Sequence, residues 1–213
     1  VYGHIVVDEA QELSEMAWRA IQRRAVRKSM TIVGDLQQSS HPAGARDWNE
    51  TLSWAGEKMA LFTLNVTYRI TEETVQSAIK QLVKSGGNPP ELVSIRSGSP
   101  TIHQSLSENE VVDFLTATMS GKAGRACVII PDSLLSQWQE QFQDQSPDLG
   151  FGPAAIDSRI AVLSAKNTKG LEFDVVFVVN PDQIGCQGVR GSDIFVACTR
   201  ATHQLYLLEV TAD

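Results

Sequence analysis

The 213-residue chain is 42% hydrophobic, 20% charged and 7% aromatic, a composition typical of soluble globular proteins that excludes disorder as its main state. With 18 basic and 25 acidic residues its formal charge is −7, so any binding of nucleic acid must be local. No apolar run approaches the roughly 18 residues of a membrane span, and no signal sequence is visible, so we expect a cytoplasmic protein. Because the chain begins at Val1 in an apolar run, without a methionine, we expect it to be a piece of a longer protein.

Short β-branched runs alternate with segments of helical period along the chain. This alternation predicts parallel strands joined by crossover helices, and therefore the α/β class. Several of the runs are apolar throughout, as strands covered on both faces of a sheet should be. The predicted strands are Ile5 to Val7, Met30 to Val33, Leu61 to Leu64, Cys127 to Ile130, Ile160 to Leu163, Val175 to Val179 and Leu205 to Leu208.

Three apolar stripes at helical spacing predict helices that pack on this sheet. Ser107, with Glu110 three residues later, predicts a capping box at the start of the second helix. The stripes consist of Val75, Ile79, Leu82 and Val83, then Val111, Phe114, Leu115 and Met119, then Leu134, Trp138 and Phe142.

Two segments should connect elements rather than form them. The stretch from Ser85 to Pro100 is rich in Gly, Pro and Ser, and a second break runs from Gln145 to Pro153. Only two predicted strands precede residue 60, and two strands cannot form a stable open sheet alone. We therefore predict that residues 1–60 are the tail of one domain and that residues 61–213 form a second.

The three cysteines, Cys127, Cys186 and Cys198, are too few and too scattered for a disulfide framework or a cluster of paired metal ligands. We predict free or buried thiols.

Asp8 and Glu9 follow the first predicted strand directly. In an open α/β sheet this edge is where ligands bind, and a carboxylate there suits Mg²⁺ bound to nucleotide phosphates, with its neighbour available to activate water. The same pair also occurs as an ordinary helix start. The second strand ends in Gly34 and Asp35, which brings further polar groups to the same edge, although a lone Gly-Asp is usually a turn.

Three later segments carry cations beside apolar runs. Tyr68 and Arg69 could stack on a base and bind a phosphate, or be an ordinary surface pair. Ser164 to Phe173 includes two lysines after a strand, as a phosphate-binding loop or a solvated hairpin would. Arg200 lies in an apolar segment, where it needs a partner; a structural salt bridge and an arginine finger are both consistent with that position.

Read in order, five segments resemble motifs II to VI of superfamily 1 helicases of the UvrD/Rep kind: Asp-Glu-Ala-Gln from Asp8, Gly-Asp-x-x-Gln from Gly34, Tyr68-Arg69, Lys-Gly-Leu-Glu-Phe from Lys169, and Thr-Arg-Ala from Thr199. The sequences from Val33 to Leu36 and from Ser40 to Arg46 most resemble the HelD branch of this superfamily, whose members act on RNA polymerase. The resemblance implies two RecA-like P-loop NTPase domains with ATP in the cleft between them.

The resemblance also implies a role for each matching residue. Asp8 would bind the Mg²⁺ of MgATP and Glu9 would orient the attacking water. Gln11 and Gln38 match glutamines that sense the γ-phosphate. The remaining matches are Tyr68, which stacks on adenine; Arg69, a γ-phosphate ligand; Gly170 and Glu172 at the nucleotide, with Glu172 on the ribose; Arg200, the arginine finger; and Ser164 and Lys166, which touch the single-strand backbone.

Two departures from the family pattern bear on function. The phosphate-binding sequence Gly-x-x-x-x-Gly-Lys-Ser/Thr is absent, so we expect this piece to be inactive alone and the missing N-terminal part of the same chain to carry the motif. The bulky aromatics that follow motif III in UvrD-like helicases are replaced by His41, Pro42, Ala43 and Gly44, which weakens the case for sequence-independent grip on bases.

Three functions follow from the resemblance. The whole protein could couple ATP hydrolysis to movement on nucleic acid or to displacement of RNA polymerase, could be a DNA repair helicase acting on single-stranded DNA, or could be a partner-binding clamp for which ATP only sets the shape. An unrelated α/β hydrolase or response-regulator-like domain would not carry the ordered pairs of residues.

Overall fold

The computed structural model describes residues 1–39, 41–185 and 192–211, and it divides the chain into two compact units, Val1–Leu64 (unit 1) and Asn65–Asp213 (unit 2). Ser40 and Cys186, both named in the sequence analysis, lie outside the described residues. Among the residues that are described, every helix is too short or too polar to cross a membrane.

Unit 1 is built on two short parallel strands, β1 (Ile5–Val7) and β2 (Met30–Ile32), joined by helix α1 (Glu15–Arg24). A second helix, α2 (Trp48–Thr51), follows. The Ser14 hydroxyl accepts a hydrogen bond from the amide of Ala17 and so caps α1 at its start. The buried apolar core of this unit is small and consists of Val7, Ala10, Trp18 and Leu52.

Unit 2 begins with strand β3 (Val66–Thr67), helix α3 (Glu72–Lys84) and strand β4 (Val93–Ser94), and β3 pairs with β4 in parallel. A longer sheet follows, whose elements are β5 (Ile102–Ser107), α4 (Val111–Met119), β6 (Ala126–Ile130), α5 (Leu135–Phe142), β7 (Leu149–Phe151), β8 (Ile160–Ser164), β9 (Phe173–Val179), α6 (Ser192–Cys198) and β10 (Ala201–Thr211). The strand order is β5-β10-β9-β6-β8-β7, and all neighbouring pairs are parallel.

Alternate residues of the central strands enter two separate cores, one on each face of this six-stranded sheet. Cys127 and Ile129 of β6 pack with α3 and α6 on one face, whereas Val128 and Ile130 pack with α4 and α5 on the other. Every residue of β6 and β8 is buried. The sheet is parallel and helices cover both of its faces, which confirms the predicted α/β class. This coverage also explains why the central strands are apolar throughout.

The order of the strands defines where a ligand should bind to this sheet. After β6 the chain runs towards β7, whereas after β9 it runs to β10 on the other side. Neighbouring strands whose connections leave in opposite directions open a crevice at their carboxyl ends, and ligands of open α/β sheets bind there.

One predicted strand is wrong. Residues 61–64 form no strand, and Leu61, Phe62 and Leu64 are 54%, 83% and 90% exposed. Apolar character alone does not make a strand, which needs a hydrogen-bonded neighbour, and pairing begins only at Val66, opposite Val93. Val83 is also 51% exposed, outside the buried stripe of α3. Four strands fall where the sequence predicted none: β3 and β5, together with β4 and β7, which lie within the predicted connections.

Candidate functional site

The two adjacent carboxylates of unit 1 stand just beyond the carboxyl end of β1. Both Asp8 and Glu9 are exposed, and the Asp8 Oδ1 accepts a hydrogen bond of 2.8 Å from the Glu9 amide. Glu9 adopts the left-handed conformation, with φ of 50° and ψ of 37°. Such a backbone is uncommon for a residue other than glycine, and its strain is often found at functional sites. Because of this conformation, the chain turns sharply at Glu9 and no longer follows the direction of β1.

Gln11 links these carboxylates to the end of β2. Its side chain is almost fully buried; Nε2 donates to the Glu9 carboxylate at 2.6 Å, and Oε1 accepts from the Asp35 amide at 3.0 Å. Gly34 makes this approach possible, because a Cβ there would lie 2.7 Å from Gln11 Oε1 and 2.8 Å from the Trp48 ring. The Gly-Asp pair is therefore more than a turn, since a larger residue at position 34 would push Gln11 away.

Gln38 joins the same network from the other side. Its Nε2 donates to Asp35 Oδ2 at 2.9 Å, and Oδ1 of that carboxylate caps the short 3₁₀ turn Leu36–Gln38 by accepting from the Gln37 amide. Hydrogen bonds thus run from Glu9 through Gln11 and Asp35 to Gln38. The structure brings together Asp8, Glu9, Gln11 and Gln38, the four unit 1 residues of the predicted site, at one edge of β1 and β2. Asp35 was not among those site residues.

This edge fits the chemistry expected of a magnesium nucleotide in part. An exposed carboxylate such as Asp8 suits Mg²⁺, which is usually held by one or two carboxylates together with substrate phosphates. Within the described part of the chain, no group of three His, Cys, Asp or Glu side chains is placed to hold a metal alone. A metal here would therefore depend on the phosphates of a bound nucleotide.

In unit 2, Arg69 and Glu172 form an ion pair at 2.6 Å between Nη1 and Oε1. The two side chains are 58% and 40% exposed, so solvent reaches both of them. Tyr68, beside Arg69, is 70% exposed. Gly170 has φ of 72°, a conformation that favours glycine and turns the chain towards Glu172. The ion pair thereby brings together residues of two motifs that lie 103 positions apart in the chain, and an exposed tyrosine directly precedes Arg69 in the sequence.

Arg200 is buried, with 8% of its surface exposed, and its guanidinium is held by backbone oxygens. Its Nε donates to the Val196 carbonyl at 3.1 Å and its Nη1 to the Leu171 carbonyl at 3.2 Å. The second bond places the guanidinium next to the residue that precedes Glu172. The partners of this buried arginine thus include main-chain carbonyls, whereas the sequence predicted a salt bridge or an arginine finger.

Ser164 and Lys166 occupy a different part of unit 2, after β8. Ser164 is 5% exposed and its hydroxyl donates to Asn167 Oδ1 at 2.8 Å, so its hydroxyl is already hydrogen-bonded within the loop. Lys166 forms an ion pair of 3.2 Å with Asp132. Lys166 and Asp132 line a pocket of about 290 Å³, at the carboxyl ends of β6 and β8 and close to the end of β9. This is the crevice that the strand order defines.

Two of the predicted thiols belong to the core of unit 2 rather than to any site. Cys127 and Cys198 are free and buried, and burial raises the pKa of both thiols, that of Cys198 to about 12. Thiols with such pKa values are protonated near neutral pH and do not act as nucleophiles. The prediction of buried free thiols is confirmed for these two residues.

Residues 159–208 match the sequence model of the UvrD-like helicase C-terminal domain. This segment contains Ser164, Lys166, Gly170, Glu172 and Arg200, and therefore five of the predicted site residues. No curated protein matches the chain in sequence. The match supports a resemblance to UvrD-like helicases in general. It does not support the closer resemblance to the HelD branch.

Solved structures of helicases resemble the chain at low sequence identity. The helicase of the virus PRRSV aligns with a TM-score of 0.50 and 17% identity over 96% of this chain and 34% of its own. Nonstructural protein 10, the helicase of an arterivirus, aligns with a TM-score of 0.49 and 18% identity over 97% of this chain and 39% of its own. The C-terminal domain of a possible DNA helicase from Lactobacillus plantarum WCFS1 aligns with a TM-score of 0.49 and 19% identity, over 68% and 89%.

At these identities the PRRSV helicase shows a shared fold, the RecA-like arrangement of a parallel sheet flanked by helices. The chain spans about a third of the length of that helicase.

Proposed function

We propose that the chain is the C-terminal part of an ATP-dependent superfamily 1 helicase or translocase. The observation that carries the proposal is the ion pair between Arg69 and Glu172, with Arg200 bonded to the adjacent Leu171 carbonyl. Three charged residues from three separate motifs converge there, and the match to UvrD-like helicases covers two of them. An unrelated α/β domain has no need for this convergence.

In the proposed reaction, the residues of unit 2 hold the nucleotide. The exposed Tyr68 ring stacks on the base, Arg69 binds the γ-phosphate and Glu172 hydrogen-bonds the ribose. Arg200 stabilises the charge that develops on the transferred phosphoryl group, a role that in comparable enzymes raises the rate by about 10³-fold or more. The bonds from Arg200 to backbone carbonyls favour such a role, because they fix the guanidinium before ATP arrives.

The residues of unit 1 act on the metal and the water. Asp8 would hold Mg²⁺, and the ion would supply positive charge that neutralises the phosphates of the nucleotide. Glu9 orients the attacking water, and its hydrogen bond from Gln11 aims the carboxylate. Gln11 and Gln38 respond to the presence of the γ-phosphate, and Asp35, which is hydrogen-bonded to both, couples the two glutamines. The proposed reaction also requires a glycine-rich phosphate-binding loop, and this sequence does not contain one.

Three versions of the proposal differ in the molecule on which the protein acts and in the use that it makes of ATP. The loop from His41 to Gly44 contains no Phe, Tyr or Trp, and the amide of its neighbour Ala45 donates a hydrogen bond of 2.8 Å to the Gln11 carbonyl. This favours a motor that displaces RNA polymerase over a repair helicase that grips single-stranded DNA by stacking. A clamp that uses ATP only as a conformational switch is the third version.

The test is the ATPase rate of the full-length protein alone, with single-stranded DNA and with core RNA polymerase. Stimulation by polymerase without DNA supports the displacement motor, whereas stimulation by DNA alone supports the repair helicase. Glu9→Gln should abolish turnover while leaving ATP binding nearly intact, and Arg200→Ala should lower the rate by about 10³-fold or more. ATP binding without any hydrolysis in the unmutated protein would leave the clamp, and an absence of ATP binding would overturn the proposal.

A further inference from the structure

Arg96 lies in the segment that the sequence marks as a loop between α3 and β5, outside every motif named above. Its side chain bonds to two distant parts of unit 2. Nη1 donates to the Arg69 carbonyl at 2.8 Å and Nη2 donates to the Thr202 carbonyl at 3.3 Å. One guanidinium therefore connects the turn that bears Tyr68 and Arg69 with the start of β10, two residues after Arg200.

We propose that Arg96 is a positioning residue that holds the Tyr68-Arg69 turn in place for nucleotide binding. This inference rests on the proposed function, since it concerns the same nucleotide. The Arg96 guanidinium donates to two main-chain oxygens, so the residue acts through Arg69 rather than on ATP.

The contacts close a ring that includes the candidate site. Arg96 bonds the Arg69 carbonyl, and the Arg69 side chain pairs with Glu172. The next residue, Phe173, accepts a hydrogen bond of 3.2 Å on its carbonyl from the Thr202 hydroxyl, and the Thr202 carbonyl accepts from Arg96. Each link fixes the next, so removal of Arg96 opens the ring at the turn that carries the two nucleotide-facing side chains.

The backbone around Arg96 is anchored independently of its side chain. The Ser94 hydroxyl donates to the Ile70 carbonyl at 2.6 Å, the Glu72 amide donates to the Arg96 carbonyl at 2.7 Å, and the Gly98 amide donates to Glu73 at 2.8 Å. Truncation of the Arg96 side chain should therefore leave this segment in place. Its effect should be confined to the two bonds that the guanidinium makes.

An arginine suits this position because its planar fork presents several donors in fixed directions. The two acceptors belong to different elements, and a lysine ammonium on its flexible stem holds both of them less firmly. Arg96→Lys should therefore fall between the unmutated protein and Arg96→Ala.

The matched control is Arg125→Ala. Arg125 is also a partly exposed arginine of unit 2, and its Nη1 donates to the Ile156 carbonyl at 3.3 Å and pairs with Asp157 at 3.2 Å. These contacts lie outside the Arg69, Glu172 and Arg200 cluster. The control therefore removes an arginine with a backbone contact and an ion pair, without touching the ring.

The first experiment measures kcat and KM for ATP in the full-length protein. Arg96→Ala should raise KM about tenfold, because a displaced Tyr68-Arg69 turn weakens nucleotide binding, and Arg96→Lys should raise it less. Arg125→Ala should change neither constant. If Arg96→Ala only lowers the melting temperature and leaves kcat and KM unchanged below that temperature, Arg96 is merely structural and the inference is wrong.

The second experiment does not depend on ATPase activity. Hydrogen exchange of the 213-residue chain should show the amides of residues 68–70 exchanging about tenfold faster in Arg96→Ala, which corresponds to roughly one lost hydrogen bond, and unchanged in Arg125→Ala. Equal exchange in both variants would overturn the inference. If the unmutated full-length protein binds no ATP, the proposed function fails, while this measurement still decides whether Arg96 holds the turn.

Discussion

The two units place polar side chains at the carboxyl ends of parallel strands, yet they hold these side chains in different ways. In unit 2 the strands that precede Pro131 and Ala165 are buried along their whole length, so the sheet itself fixes where they end. In unit 1, β1 and β2 are three residues each, and Val6 and Val33 are 68% and 51% exposed.

Unit 1 therefore depends on hydrogen bonds where unit 2 depends on packing. In unit 1 the buried side-chain amide of Gln11 fixes the distance between the ends of the two strands. In unit 2 the apolar faces of the long strands have this role. Packing involves many weak contacts, and the loss of one is felt in proportion to the volume removed. A single amide makes few contacts, so its loss should affect the geometry of the carboxylates more than the stability of the whole chain.

The largest expected difference between the units is their stability when each is made alone, and the distinction fails if unit 1 folds alone as well as unit 2 does. A two-stranded sheet is marginal in water, so residues 1–64 alone should show no cooperative unfolding, whereas residues 65–213 alone should. Urea titration followed by far-UV circular dichroism measures both, with the full chain as the reference. A sharp transition for residues 1–64 would contradict the distinction between the units.

A core substitution in unit 2 should have the next largest effect. Phe177 is fully buried and its ring stacks on Tyr206 with centroids 4.7 Å apart. Phe177→Ala should lower the free energy of unfolding by about 3–5 kcal/mol. The control Phe62→Ala truncates a side chain that is 83% exposed and should change it by less than about 0.5 kcal/mol. Similar losses in both variants would mean that Phe62 packs as a core residue.

The sequence was most informative where burial is complete. Strands β6, β8 and β9 were predicted to within two residues at each end, because a short apolar run rich in β-branched residues has few alternatives once both of its faces are covered. The capping box at Ser107 and Glu110 was also confirmed, since it depends on residues three positions apart. Both signals are local.

The sequence failed where structure depends on distant partners. Leu61 to Leu64 has the composition of a strand, but the structure shows no strand there, and Val66 pairs instead with a strand 27 residues later, inside a predicted loop. Within the candidate site, the motifs identified Arg69, Glu172 and Arg200, but not that Arg69 and Glu172 form an ion pair or that Arg200 bonds the Leu171 carbonyl. Arg96 carries no motif at all.

Substitution of Gln11 sharpens the comparison at the level of one side chain. Gln11→Met removes both hydrogen bonds of the Gln11 side chain and leaves the Asp35 amide without this acceptor, which should cost about 1–3 kcal/mol. The Asp35 amide should also exchange its hydrogen at least about tenfold faster. Gln37→Met is the control, because Gln37 contacts Asp35 through its backbone amide, which the substitution keeps. Unchanged exchange at Asp35 would show that packing holds this edge.

The smallest expected effect compares helix starts, one from each unit. Ser107 donates to Glu110 from both its amide and its hydroxyl, at 2.9 Å each. These bonds, the backbone bond first, hold the pKa of Glu110 below its usual 4.5. The stabilisation is therefore fully present above about pH 4.5 and is lost as the pH falls through the lower folded-state pKa.

Glu110→Gln should consequently unfold more easily than the unmutated chain at pH 7, with a gap that closes as the pH falls below about 4.5. Ser14→Ala in unit 1 removes a cap whose third residue is Ala17, a cost of about 1 kcal/mol that carries no such pH dependence. Urea titrations from pH 3 to pH 7 compare the two variants. A constant gap for Glu110→Gln would mean that the charge of Glu110 contributes nothing to the start of α4, and that a simple cap serves both units equally.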